Sequence, residues 1–266
     1  MEEPSAGTRP ATRQGARPRV PPHPSGFRVP HPAGIAVAAD GSRLFVAGNL
    51  VDRLYVVDPG TGRVVGTTPT GHLPYGVALN RTGTRAFVSN WGERSVTVVD
   101  TATRAVIRTV ATGTHPSAIV TNPARDETYV ANADSDTVSV LDAAGTALRT
   151  IDLRPYSGAP IGASPDALTV SPDGGTLYVA NANDNDVAVV QLAAAGSAKG
   201  DRVLGLIPTA WYPSGVAVDP AGKALLVTNM KGLGAGPNLD EKTYWPAGMR
   251  GTLSRIPVPS STTLRS

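Results

Sequence analysis

The sequence predicts an all-β fold, a β-propeller of four-stranded antiparallel blades with five blades recognisable, and three observations carry that expectation. The first is self-similarity: "ETYVANADSDTVSVL", Glu127 to Leu141, returns 49 residues later as "TLYVANANDNDVAVV", Thr176 to Val190. Five copies align on Pro32, Pro74, Pro116, Pro165 and Pro213, spaced 42, 42, 49 and 48 residues apart. The second is a constant internal offset. Sixteen residues after each proline stand Gly48, Asn90, Asn132, Asn181 and Asn229, and at offset 26 in the first three copies stand Asp58, Asp100 and Asp142. The third is period-2 patterning. Short alternating runs such as "GVAL", "RAFVSN", "SVTVVD" and "AVIRTV" are broken every 8 to 12 residues by turn residues such as Thr82-Gly83 and Asp173-Gly174, which is the signature of strands and not of helices. Four such strands in a unit near 42 residues match one propeller blade, which buries a face on its neighbour and so repeats one packing solution.

The elements follow in order. Residues 1–30 carry Arg9, Arg13, Arg17, Arg19 and Arg28 among many prolines and few apolar residues; such a segment has little to offset its ordering entropy and reads as a disordered arm. Blade one, about 31–71, opens on "HPAGIAVAADGSRLFVAGN", and blade two, about 72–113, on "LPYGVALNRTGTRAFVSNW". Blade three, about 114–163, opens on "HPSAIVTNPARDETYVANA" and ends in an insertion, roughly Leu153 to Ser164. Blade four, about 164–210, opens on "SPDALTVSPDGGTLYVANA". Blade five, about 211–259, opens on "YPSGVAVDPAGKALLVTNM" and contains a second insertion, Met230 to Arg250. It shows no clear fourth strand after "TLSRIPVP"; the short "GFRV" near the N-terminus is the candidate to complete it, and residues 260–266 form a tail. Five blades of this kind are expected as an incomplete, open propeller whose bare blade edges invite self-association.

Composition narrows the function classes. Gly and Pro make 53 of 266 residues, below the roughly 25–30% at which low-complexity disorder becomes the default. The absence of cysteine excludes disulfides, thiolate metal sites and a cysteine nucleophile. No run of 18 apolar residues exists, so no span of helical length is expected. The opening "MEEPSAGTRP" lacks the basic and apolar regions of a secretory signal. The net charge of +3 resides in the first 30 residues, while the remainder holds 19 basic and 19 acidic side chains. A phosphate-backbone binder needs clustered Lys and Arg, so the neutral remainder argues against nucleic acid.

Blade topology sorts the unusual residues. The connection into a blade's first strand and the turn between its second and third strands emerge on one face, and the other two turns emerge opposite. By offset, His31, His72, His115, Trp211 and Tyr212 fall in entries, Trp91 follows Asn90 in a second-to-third turn, and both insertions, with Trp245 and Lys231, lie on the same side. With Tyr75 just inside the second entry, these make a candidate binding face of His72, Tyr75, Asn90, Trp91, His115, Asn132, Asn181, Trp211, Tyr212, Asn229 and Lys231. Aromatics clustered with polar groups compose recognition hot spots. Each has a plainer reading beside it. The asparagines would cap their own turns by Asx bonds, the histidines would pack between blades, and Asp134, Asp136, Asp184 and Asp186 would be solvated turn charges. Gly232, Gly234 and Gly236 of "KGLGAGPN" lack the ending of a phosphate-binding P-loop and read as a flexible loop. No Gly-x-Ser-x-Gly elbow, His-Glu-x-x-His helix or acid/base pair stands out, so no catalytic, metal or cofactor residue is assigned.

"YVAN" at Tyr129 to Asn132 and Tyr178 to Asn181, with "LVTN" at Leu226 to Asn229, resembles the YVTN-type β-propeller repeat over residues 31–259. The longer phrases "YGVALNRTGTRAFVSNWGERSVTVVDT", "GLIPTAWYPSGVAV" and "KGLGAGPN" are similar to the propeller that precedes a phosphoesterase domain of the alkaline phosphatase superfamily in two-part bacterial proteins. Those propellers are larger than five blades, and the present sequence stops where the phosphoesterase would begin, so a fragment of a longer propeller is one expectation. The resemblance implies a non-catalytic binding or scaffolding module serving that phosphoesterase domain or its substrate, in a periplasmic or extracellular setting. The alternative is a propeller enzyme, a metal-dependent hydrolase or lactonase with its site in the central channel.

Overall fold

The computed structural model describes residues 31–156, 158–194, 200–234 and 249–260. They form five antiparallel sheets in sequence order. The first contains β1 (Pro32–Val37), β2 (Leu44–Gly48), β3 (Arg53–Asp58) and β4 (Arg63–Pro69), and the second β5 (Pro74–Leu79), β6 (Arg85–Asn90), β7 (Ser95–Asp100) and β8 (Val106–Ala111). The third contains β9 (Pro116–Thr121), β10 (Glu127–Asn132), β11 (Thr137–Asp142) and β12 (Ala147–Asp152), and the fourth β13 (Pro165–Val170), β14 (Thr176–Asn181), β15 (Asp186–Gln191) and β16 (Arg202–Pro208). The fifth has three strands, β17 (Trp211–Val218), β18 (Ala224–Gly232) and β19 (Thr252–Pro257). A three-residue 3-10 turn, Asn49–Val51, is the sole helical element among the described residues. "GFRV" and Trp245 lie outside the described residues.

Each sheet is a meander with its first strand at one edge, and the first strands pack side by side: β1 on β5, β5 on β9, β9 on β13 and β13 on β17. Glycine allows the approach, since a Cβ on Gly76 would sit 2.8 Å from the carbonyl oxygen of Ser117 in the next blade. Four apolar clusters fill the four junctions. Phe45, Leu54 and Val56 meet Val77, Val88 and Val99; Phe87, Val96 and Val98 meet Val130, Leu141 and Ile119. Tyr129, Val138 and Val140 meet Val170, Leu177 and Val179; Tyr178, Val187 and Val189 meet Leu225, Val227 and Val216.

The residue thirteen past the anchor proline shows what a neighbour does. Phe45, Phe87, Tyr129 and Tyr178 are at most 3% exposed, whereas Leu226, at the same position in the last blade, is 38% exposed. On the outer face of the first blade, Ile35 and Val37 are each 58% exposed, while Val77, equivalent to Ile35, is buried by blade one. Among the described residues no apolar cluster joins the last blade to the first.

On the face opposite the blade entries, the offset-26 aspartates close their own turns. Asp58 accepts the N–H groups of Gly60 and Thr61, Asp100 those of Ala102 and Thr103, and Asp142 those of Ala144 and Thr146, at 2.7–3.1 Å. These Asx bonds close the turns between third and fourth strands. The amide bonds and the Arg43 and Arg85 guanidinium groups hold the Asp58 and Asp100 carboxyls below the usual range.

Candidate functional site

Blade entries and second-to-third turns share one face because they are bonded together. The N–H of Asn49 donates to the carbonyl of His31, that of Trp91 to Leu73, that of Ala133 to His115 and that of Ala182 to Ser164, at 2.8–3.0 Å. In blade five Trp211 pairs with Gly232 across the same two segments.

The residue before the anchor proline has a left-handed backbone in four of the five blades: Leu73, His115, Ser164 and Tyr212 have φ of 51°, 50°, 54° and 60°. A bulge follows each anchor in the first strand's pairing, so the entry side chain is re-aimed. Left-handed backbone is costly for residues of these types, and the preceding blade helps to hold it. Asp52 Oδ1 accepts the N–H of Leu73 at 2.9 Å and Asn185 Oδ1 that of Tyr212 at 2.8 Å. Buried Asp136 accepts the N–H groups of Gly162, Ala163 and Ser164 at 2.7, 3.1 and 3.3 Å. Asp52, Asp136 and Asn185 occupy one repeat position, twenty residues past the anchor, and themselves have left-handed φ. Arg94 fills that position in blade two. There the junction carries a ring stack instead: Trp91 of blade two lies on His115 of blade three, centroids 4.4 Å apart and planes at 19°.

Three plainer expectations need correction. Asp136 is no solvated turn charge, because three backbone amides of the segment leading into blade four converge on it. Asp186 is buried as well; it accepts from Asn181 Nδ2 at 2.9 Å, and burial pushes its carboxyl up to about 6. The asparagines do not cap their own turns through their side chains; they clamp the second strand to the third. Asn90 Nδ2 donates to Ser95 and Thr97, Asn132 Nδ2 to Thr137 and Ser139, and Asn229 Nδ2 to Thr252 and Ser254, at 2.9–3.3 Å. Asn90, Asn132, Asn181 and Asn229 are all at most 2% exposed, so these four members of the candidate face present nothing to solvent.

The remaining members are accessible. His72 Nδ1 lies 3.2 Å from Asp52 Oδ2 and His115 Nδ1 2.5 Å from Asp134 Oδ2, so in both rings Nδ1 is the nitrogen engaged by a carboxylate. Tyr75, Trp91 and Trp211 are exposed, Trp211 to 57%. The Lys231 ammonium sits 4.4 Å over the centre of the Tyr212 ring. Tyr156 and Ile161 of the first insertion and Met230 and Leu233 at the start of the second add exposed apolar groups to the same face. The rest of the second insertion, 235–248, lies outside the described residues.

One polar residue on this face was not singled out from the sequence. Asp166 directly follows its anchor proline, where the other copies have Ala33, Tyr75, Ser117 and Ser214. It is the sole charged side chain at that position, a signal the repeat alignment contains. Burial pushes its carboxyl above the usual range. Burial, then the negative charge of Asp166, pushes the Tyr75 phenol up as well.

No protein-family model and no curated protein matches the chain. Among solved structures, it is similar to a functionally unknown protein from Desulfotomaculum acetoxidans DSM 771, with TM-score 0.64 and 17% identity. The match covers 75% of this chain and 63% of that one. That likeness shows the fold: repeated antiparallel blades of propeller type.

Proposed function

We propose that the chain is a non-catalytic binding or scaffolding module of the YVTN-type propeller kind, presenting its entry face to an associated phosphoesterase domain or to that domain's substrate. The observation that supports this reading is the division of labour on that face. Polar groups such as Asp136, Asn132 and Asn185 are taken up in holding backbone and strands. Trp91, Trp211, Tyr75, Met230 and Leu233 are left exposed beside them. Large aromatics rimmed by polar groups are where recognition energy concentrates. The phosphoesterase connection rests on the sequence phrases alone.

The test is capture of an alkaline phosphatase-superfamily phosphoesterase domain, taken from a two-part protein of the kind the phrases resemble, by wild-type chain and by Trp91→Ala and Trp211→Ala variants. Saturable capture that both substitutions weaken by about tenfold or more supports the reading. Absence of capture by folded wild type overturns the choice of partner. Metal-dependent turnover of an aryl phosphate that is lost in His72→Ala or His115→Ala replaces the module by an enzyme.

A further inference from the structure

Blade one turns a four-stranded sheet face to solvent, and two cross-strand rows on that face are almost wholly apolar. Residues paired directly across antiparallel strands share a face. Val37 pairs with Leu44, Leu44 with Val57 and Val57 with Val64; Ile35 pairs with Val46, Val46 with Tyr55 and Tyr55 with Thr67. All but Thr67 are apolar and none is buried, Ile35 and Val37 being 58% exposed and Val64 54%. The equivalent face of blade two is the one that blade one covers, with Val77, Ala86, Val88 and Val99 buried there. A contiguous apolar area left to water marks an interaction surface.

Two features decide what it meets. At the repeat position of Tyr55 the covered blades have Thr97, Ser139 and Ala188, each buried beneath its neighbour. The Tyr55 ring is larger and lies over Gly48, 2.6 Å from where a Cβ on that glycine would sit, at the position the other blades give to asparagine. The back of blade one is therefore not shaped to take the front of another blade as the backs of blades two, three and four are. The free front in the described chain, that of blade five, is a poor mate for a second reason. Where Val56, Val98, Val140 and Val189 fill the junctions it carries Arg255, paired with Leu226 across the strands. Seating that front on the two rows would bury the guanidinium where neither row offers a carboxylate, which is costly. The mate must be apolar over the same extent, and the same face of a second copy meets that requirement.

We propose that two copies of the chain associate through the outer faces of their first blades, the rows of Ile35 and Val37 packing on their counterparts as sheet on sheet. The packing that fills the four junctions inside the chain is thereby continued between copies. Such a two-fold contact is self-complementary and closes at a dimer. Four strands about 4.8 Å apart and about six residues long outline roughly 400 Å² per copy, which places the contact at the small, weak end of protein interfaces. The rows lie on a sheet face and not among the blade entries, so the proposal is independent of the entry-face reading.

The experiment is sedimentation equilibrium of the whole chain over roughly 1–200 μM. A monomer–dimer equilibrium with a dissociation constant on the order of micromolar to tens of micromolar is the expected result. Val37→Glu should weaken the dimer by about tenfold or more, because each dimer carries the substitution twice, and Val64→Glu, at the far end of the same row, should do likewise. Both sites are exposed, so the melting temperature of the dilute chain should stay at the wild-type value. Leu253→Glu, on the front of blade five, should leave the dimer as it is. A wild-type chain that is monomeric throughout would overturn the proposal, and that measurement does not depend on a variant folding. A dimer indifferent to the folded Val37→Glu and Val64→Glu variants would overturn it as well. So would an assembly that grows beyond two copies and is dispersed by Leu253→Glu, since blade five would then be the mate. None of these outcomes bears on capture of the phosphoesterase domain.

Discussion

The two faces of the blades use the same residue types for different ends. On the face away from the entries, Asp58, Asp100 and Asp142 accept N–H groups two to four residues ahead in their own turns. On the entry face, Asp52, Asp136 and Asn185 reach instead to the backbone of the next blade. A turn closed by its own side chain makes no demand on its neighbours. A blade entry held from the preceding blade fixes the hand-over between blades and places the residue before each proline in a conformation it would not choose alone. Apart from Trp91, whose ring stacks on His115 across its junction, the aromatic side chains beside those hand-overs take no part in holding the backbone. The difference teaches where to look for function in a repeat: among side chains that remain when each repeat position has been assigned its structural task.

The largest effect that would sharpen this contrast is expected at Asp136. Asp136→Ala leaves three amides of the blade-four entry without their acceptor, and should cost about 2–3 kcal/mol in denaturant unfolding. An effect no greater than that of the turn aspartates would break the contrast. Asp186 tests the entry face from the opposite direction, because it stands where other copies have Ser95, Thr137 and Thr252. Its carboxyl is raised from 3.8 to about 6 by burial. The folded state therefore holds the proton more tightly, and stability from this group is present below about pH 4 and lost as pH rises through about 6. Asp186→Asn should raise the melting temperature near pH 7 and leave it unchanged near pH 4; a uniform effect at both would contradict the assignment. Asp100→Ala, which removes turn bonds within one blade on the solvent side, should lower stability clearly less than Asp136→Ala in the same unfolding measurement.

The architecture was legible because blade packing repeats: the prolines, the offset-16 residues and the period-2 runs stand at constant spacing, and the observed sheets start on those prolines or, for β17, two residues before one. The left-handed entries were not. A residue before proline is biased toward extended backbone, and Leu73, His115 and Tyr212 carry no mark of an αL preference; at Leu73 and Tyr212 the holding group, an Asp or Asn 21 and 27 residues upstream in another blade, is a tertiary one. The asparagine clamp left a trace that was readable, the alternating hydroxyls Ser95 and Thr97 or Thr137 and Ser139 opposite each Asn.

The central claim is that the entry-face aromatics contribute little to the stability of the fold, the Trp91–His115 stack included. Equilibrium unfolding of the Trp91→Ala/Trp211→Ala double variant tests it most directly, followed by far-ultraviolet circular dichroism so that loss of the indoles does not remove the signal. The account predicts a stability within about 1 kcal/mol of wild type, as for exposed sites with no buried partner, with the transition equally cooperative. A loss of about 3 kcal/mol or more, the scale of a vacated core position, would show that both rings are structural and would contradict it.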